Sequence, residues 1–195
     1  HMDDETAREF LNDIGDEADR LTRITEKLLT LTRLDTAPAA EDVPVDVGAV
    51  VERVEHMLSP LARAVEVSLE LKLQPGCVVL ATEDDLYQIA FNLMENAVKY
   101  NLPGGRVLVT LTADGGRVVL RVEDTGVGIP EADLPKIFDR FYRVDKARSR
   151  AAGGTGLGLS IVRDTVLQHG GAVTARRREP EGTCFEVSFA QWNGE

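Results

Sequence analysis

The residues best suited to chemistry lie between Leu86 and Tyr100, where Asn92, Glu95, Asn96 and Lys99 recur at helical spacings. At 3.6 residues per turn they share one arc of roughly 100°, opposite a stripe of Leu86, Ile89, Ala90, Leu93 and Ala97. Two amide oxygens, a carboxylate and an ammonium suit a hydrated magnesium ion held beside phosphate, because magnesium takes oxygen ligands and keeps several waters. A polar arc alone is also what any solvated helix face shows, so the rest of the chain has to decide.

A second candidate is Asp124. In Val118-Val119-Leu120-Arg121-Val122-Glu123-Asp124 the even positions are apolar until the last, so a strand here aims Asp124 at the same face as Val118, Leu120 and Val122. A buried carboxylate requires a donor, and no basic residue is adjacent in sequence. Two donors fit: the backbone amides of Thr125 to Gly128 in an Asx-type turn, or the amino group of a ligand such as adenine. Thr183 shares parity with Phe185, Val187 and Phe189, so its hydroxyl points inward and could bond the same ligand. Gly126 and Gly128 would leave room for a flat ring. Gly153, Gly154, Gly156 and Gly158 lead into a helix, an arrangement that offers amides and a positive dipole end to phosphates. No Lys-Ser or Lys-Thr follows, which excludes a Walker loop, and a basic loop rather than a strand precedes, which excludes a dinucleotide fingerprint.

The elements that must position these groups can be read from periodicity. After a short extended piece at Val43-Val45, a helix capped by Asp46 runs from about Val47 to Arg63 and carries His56, expected to be structural or exposed. Strands follow at Val65-Leu71 and Cys77-Ala81, then the asparagine-bearing helix with Thr82 as cap and Asp84 and Asp85 in its first turn. Arg106-Thr112 and Arg117-Asp124 form a hairpin about Asp114-Gly115-Gly116. An acidic helix start spans Glu131 to Lys136, and Ile137 to Thr155 lacks periodicity and reads as a mobile loop. A helix from about Leu157 to His169 ends at Gly170-Gly171 in Schellman fashion, before strands at Ala172-Arg177 and Thr183-Phe189. The expectation is an α+β fold, a mixed sheet covered on one face by three helices.

Before this domain, residues 3–36 contain no proline and carry Phe10, Ile14, Leu21, Ile24, Leu28, Leu31 and Leu34 in a narrow seam. This is a long amphipathic helix that needs a partner, and self-association through residues 10–34 is expected. Residues 37–42 are a proline-containing linker, residues 43–190 the domain and residues 191–195 a tail. His1-Met2 reads as a vector scar, so a membrane anchor upstream in the parent stays open. The net charge of −11 argues against a nucleic-acid partner. Cys77 and Cys184 sit in apolar runs without metal-type spacing; buried free thiols and a reducing, cytoplasmic setting are expected.

Four motifs, in order and spacing, resemble those of sensor histidine kinases. Asn92-Leu93-Met94-Glu95-Asn96-Ala97-Val98-Lys99-Tyr100 is similar to the asparagine box, and Asp124-Thr125-Gly126-Val127-Gly128-Ile129 to the first glycine box. Ile137-Phe138-Asp139-Arg140-Phe141-Tyr142-Arg143 resembles the phenylalanine box, and Gly154-Thr155-Gly156-Leu157-Gly158-Leu159-Ser160-Ile161-Val162 the second glycine box. The resemblance implies a two-layer Bergerat fold, as in gyrase, Hsp90 and MutL, over about residues 43–189. It also implies that Glu17-Ala18-Asp19-Arg20-Leu21 and Leu28-Leu29-Thr30-Leu31-Thr32-Arg33-Leu34-Asp35 belong to the second helix of a dimerisation and phosphoacceptor domain.

Carried over by position, the resemblance implies ATP and Mg2+ as cofactors. Asn96 would bind the metal, and Asn92 would lie beside the phosphates. Lys99 and Tyr100 would join the nucleotide pocket, Asp124 would accept from the adenine amine, and Gly126 and Gly128 would shape the ring slot. Gly154, Gly156, Leu157 and Gly158 would line the triphosphate at the hinge of a lid, and Arg143, Lys146 and Arg148 would reach the terminal phosphate. The family's acceptor histidine, followed by an acidic residue, leucine and arginine, has no counterpart here: His1 precedes Met2, His56 precedes Met57 and His169 precedes Gly170. The implied function is the ATP-positioning half of a two-component phosphorelay kinase, unable to phosphorylate itself in cis and assigned no catalytic residue. Its partners would be a response regulator and the missing helix with the phosphoacceptor histidine. The alternative is a non-catalytic ATP-binding interaction module of the same superfamily.

Overall fold

The computed structural model describes residues 14–15, 18, 21–22, 25, 29, 41–145 and 154–194. Strand β1 (Val43–Asp46) leads into α1 (Val47–Ala64), whose start is closed by Asp46 Oδ1 accepting from the Gly48 amide at 2.8 Å. Strands β2 (Ser68–Leu73) and β3 (Val78–Ala81) precede α2 (Glu83–Lys99), the asparagine-bearing helix, capped by Thr82 Oγ1 accepting from the Asp85 amide. Strands β4 (Arg106–Asp114) and β5 (Arg117–Asp124) form the expected hairpin, and α3 (Gly158–Gln168), β6 (Ala172–Arg177) and β7 (Thr183–Ala190) complete the order.

Five strands make one mixed sheet in the order β2-β4-β5-β7-β6, with β2 parallel to β4 and the other pairs antiparallel. β1 and β3 pair separately and antiparallel. Helix α2 is central and packs against both α1 and α3. The apolar stripe read from the sequence is what it buries: Leu86, Ile89, Ala90, Leu93 and Ala97 are all at most 3% exposed, in one core with Val107, Val109, Leu120, Val122, Phe185 and Val187 of the sheet. The expected α+β architecture of a mixed sheet and three helices is therefore the observed one.

Two loops connect this frame to the site. Helix α3 ends as expected, with the Gly170 amide donating to Leu167 O, the Gly171 amide to Val166 O, and Gly170 at a φ of 65°. The acidic helix start at Glu131 to Lys136 is not an α-helix. It forms turns and a single 3₁₀ turn at Leu134–Lys136 because Pro135 supplies no amide hydrogen and the following chain dives inward: Ile137 is buried, and the Phe138 ring packs edge-on against Phe185 at 6.4 Å. The stretch from Ile137 is thus anchored at its beginning rather than loose throughout, and residues 146–153 lie outside the described residues.

Most of the arm and the linker lies outside the described residues as well. The described positions Ile14 and Leu21 of the seam, and Leu29 beside it, are helical and half or more exposed. His56 is exposed, Cys77 and Cys184 are buried free thiols, and among the described residues no helix is long and apolar enough to cross a membrane.

Candidate functional site

Between α2, the ends of β5 and β7, and the start of α3 lies a cavity of about 370 Å3. Its wall includes Glu95, Asn96, Lys99 and Tyr100 from α2 and its cap, Asp124 from β5, Val127 to Pro130 from the following turn, and Thr183 and Phe185 from β7. Tyr142, Arg143, Val144 and Asp145 border it from the phenylalanine-rich segment, and Gly154, Thr155, Gly156, Gly158 and Leu159 from the glycine-rich approach to α3. Five separated stretches of sequence thus converge on one concavity, of the size and mixed polarity expected for a small-molecule site.

Asp124 is the most informative group. Strand alternation holds to the end of β5, leaving Asp124 6% exposed with its neighbours on the apolar face. Its Oδ1 accepts from the Gly126 amide at 2.8 Å and from the Thr183 amide at 3.2 Å. Its Oδ2 accepts no hydrogen bond from the described residues. The backbone and ligand readings are therefore compatible, since the protein satisfies one oxygen and leaves the other for something else. Burial pushes the carboxyl up to about 6, against the lowering effect of the two amides and of Arg178, whose charge the local sequence could not anticipate.

The glycines explain themselves by close approach. A Cβ on Gly126 would collide with Tyr100 O and sit 2.9 Å from Asn101 Cα, and the Val127 amide donates to Tyr100 O at 3.2 Å. Gly126 is therefore required for seating the turn on the end of α2, and it is not among the residues that border the cavity. Gly128 borders the cavity at a φ of 69°. Gly156, at 72°, lies against Phe141, whose backbone a Cβ would approach to 2.9 Å, and Gly156 O accepts from the Phe141 amide at 2.8 Å. That contact draws the glycine-rich segment to the phenylalanine-rich one. No side chain caps the first turn of α3 and no acidic residue occupies it, so Gly158 and Leu159 present an uncapped helix start to the cavity.

Of the residues expected at a site, Asn96, Lys99, Tyr100, Asp124, Gly128, Arg143, Gly154, Gly156, Gly158 and Thr183 all border this one cavity. Asn92 does not: it is buried one turn earlier, its Nδ2 donating to Gln88 O at 2.8 Å. Leu157 is fully buried and packs with Ile161 as a small apolar pair. Lys146 and Arg148 lie outside the described residues. Sequence reading assigned no site role to Tyr142, whose hydroxyl donates to Asp133 Oδ1 at 2.7 Å, or to Ile129 and Phe185. The odd parity of Phe185 beside Thr183 was the available signal.

The donor set suits a hard, hydrated cation: Asn96 and Glu95 bring oxygens to the same wall, and among the described residues no group of three acidic, histidine or cysteine side chains forms a closed cage. A metal here would share its coordination with phosphate and water.

This arrangement is one that known proteins share. Residues 81–192 match the family of histidine kinase-, DNA gyrase B-, and HSP90-like ATPases, and the chain belongs to that family. It is also similar to individual sensor kinases. It is 34% identical over 191 residues to the sensor-like histidine kinase SenX3 of Mycolicibacterium smegmatis, covering 97% of this chain and 50% of SenX3. Among solved structures, full-length ShkA in complex with AMPPNP covers the whole chain at 31% identity and a TM-score of 0.80, the match taking in 41% of that protein. The mycobacterial sensor histidine kinase MprB, at 31% identity and a TM-score of 0.66, covers 78% of this chain and 99% of its own. The chain therefore spans half of SenX3 and less than half of ShkA.

Proposed function

We propose that this chain is the ATP-binding catalytic portion of a cytoplasmic sensor histidine kinase segment, and that it positions Mg-ATP for phosphoryl transfer to a histidine on another helix. In this reading residues 43–190 form the catalytic domain, residues 37–42 the linker and residues 3–36 the second helix of the dimerisation domain. The observation that carries it is the half-satisfied Asp124, a buried carboxylate with one oxygen committed to backbone amides, beside a cavity that also holds Asn96, Lys99, Arg143 and an uncapped helix start.

Each group has a role set by its chemistry. Asp124 Oδ2 accepts from the exocyclic amine of adenine, and Thr183 bonds the same ring edge. Asn96 holds the metal by its amide oxygen. Lys99 and Arg143, with Lys146 and Arg148 from the lid, neutralise phosphate charge, and the α3 start adds backbone donors. Mg2+ held at Asn96 would supply positive charge to offset that of the phosphates during transfer. Closure of the glycine-hinged segment expels water and strengthens each of these contacts.

The acceptor lies on a separate helix, after which the phosphoryl group passes to a response regulator. The test is to incubate this chain with labelled ATP and magnesium, alone and with a dimerisation domain that carries its histidine but has no ATP site. Acid-labile phosphate should appear on the added domain only. Label on this chain alone, or on neither, overturns the reading. The non-catalytic module has no specific observation in its favour.

A further inference from the structure

We propose that Glu95 is a positioning residue that makes nucleotide binding conditional on the divalent cation, holding Lys99 in the open cavity and accepting from metal-bound water once Mg-ATP is in place. The inference rests on the Mg-ATP reading of this cavity.

Glu95 Oε1 lies 2.8 Å from Lys99 Nζ, one helical turn on, with side-chain exposures of 18% and 28%. A pair at this spacing on a solvated helix face contributes little. This one differs in where it sits: both side chains, and Asn96 beside Glu95, border the cavity. Joined, the pair presents no net charge to an entering polyphosphate. Lys99 carries one charge, so a phosphate it bonds competes with Glu95 for it, and the carboxylate is then poorly shielded from the anion it faces. That repulsion is relieved only by a cation placed between them.

Asn96, the next residue, offers the oxygen that can hold such a cation at one point, and magnesium keeps water on most of its remaining positions. Those waters are donors, and Glu95 is an acceptor-only group on the same wall. Metal-free ATP therefore meets a carboxylate and a sequestered lysine, whereas Mg-ATP meets a carboxylate it can use and a lysine released to phosphate. Lys99 and Glu95 exchange partners in one event.

The experiment is calorimetric titration of the chain with ATP, once with excess magnesium and once with EDTA, for the unaltered protein and for Glu95→Gln. Glutamine keeps the shape but neither holds Lys99 as an ion pair nor attracts the hydrated cation. The variant should bind metal-free ATP more tightly and Mg-ATP less tightly, so the ratio of the two dissociation constants falls about tenfold, the scale of one charge in a partly shielded site. A ratio unchanged within twofold overturns the proposal and leaves Glu95 as an ordinary helix-face partner. Glu95→Asp, one methylene shorter, should give an intermediate ratio; if the glutamine variant does not fold, an unaltered ratio in the aspartate variant overturns the proposal equally. Failure of the unaltered protein to bind ATP in both buffers overturns the Mg-ATP reading itself, an outcome separate from an unchanged ratio.

Discussion

Two carboxylates, Asp124 buried and Asp85 part-buried, are held by different means, and the contrast separates function from architecture. Asp85, in the first turn of α2, accepts from His169 Nε2 at 2.9 Å across 84 residues of sequence. His169 follows the last turn of α3 with only 2% of its side chain exposed, and its Nδ1 lies 3.1 Å from Asp42 Oδ1, an ionic contact out of line for a hydrogen bond. This cluster ties the residue before β1 and the two helices that flank the cavity into one unit. Its pairing holds the Asp85 carboxyl below its ordinary range, the His169 bond being the main cause, and raises His169 through Asp85 first and Asp42 second. Asp124 shows the reverse, a carboxyl driven up to about 6 because burial outweighs its two amide donors. The carboxylate paired with a histidine holds the frame; the one held only by backbone amides waits for a ligand.

The sharpest way to break the contrast is Asp124→Asn. The amide cannot accept at both positions, and its NH2 would face the ligand amine, so ATP affinity should fall by about 1.5–3 kcal/mol, the range for a hydrogen bond to a charged group. The unliganded protein should be no less stable at pH 7.5, because a poorly solvated charge has been removed. Equal ATP affinity in a calorimetric titration would take Asp124 out of the site.

His169→Ala should do the opposite. Deleting a buried bonded ring costs about 1–3 kcal/mol in urea unfolding, with ATP affinity within about twofold. A large loss of affinity without loss of stability would move this cluster into the functional machinery.

The smallest effects are in pH, and they run in opposite senses. Protonating Asp124 removes the acceptor, so ATP affinity should hold above its folded value of about 6 and be about tenfold weaker one unit below. For the fold itself, a raised Asp124 contributes stability below its unfolded value that is lost as pH rises through about 6. His169, also raised, contributes stability that is present below its unfolded value and lost as pH rises through its folded one. Asp85, lowered, contributes above its unfolded value and loses that contribution as pH falls through its folded one. The stability lost in His169→Ala should therefore shrink toward alkaline pH, while ATP affinity declines toward acid. Parallel pH profiles would erase the distinction.

Much of this was legible in one dimension because it depends on local periods. The 3.6-residue period of α2 separated its buried stripe from its polar arc, and the two-residue period of β5 aimed Asp124 inward, as the structure has it. The caps Asp46 and Thr82 and the turn at Gly170-Gly171 depend on neighbours a few residues away. The 3₁₀ turn at Leu134–Lys136 was not legible, because burial of Ile137 and Phe138 against a distant strand overrode an acidic, helix-like composition.

By itself the sequence determined which residue types were available and on which face of each helix or strand they fall, since those follow from backbone geometry. Only the tertiary structure decided what they meet. It placed Asn96 and Glu95 in the cavity wall while turning Asn92 to the carbonyl of Gln88, and it set Gly126 against Tyr100. It also brought Arg178 within reach of Asp124 and set His169 between two aspartates. Apart from the Asn92 bond within its own helix, these pairings join groups tens of residues apart, and their energies exist only once the sheet and helices have closed around them.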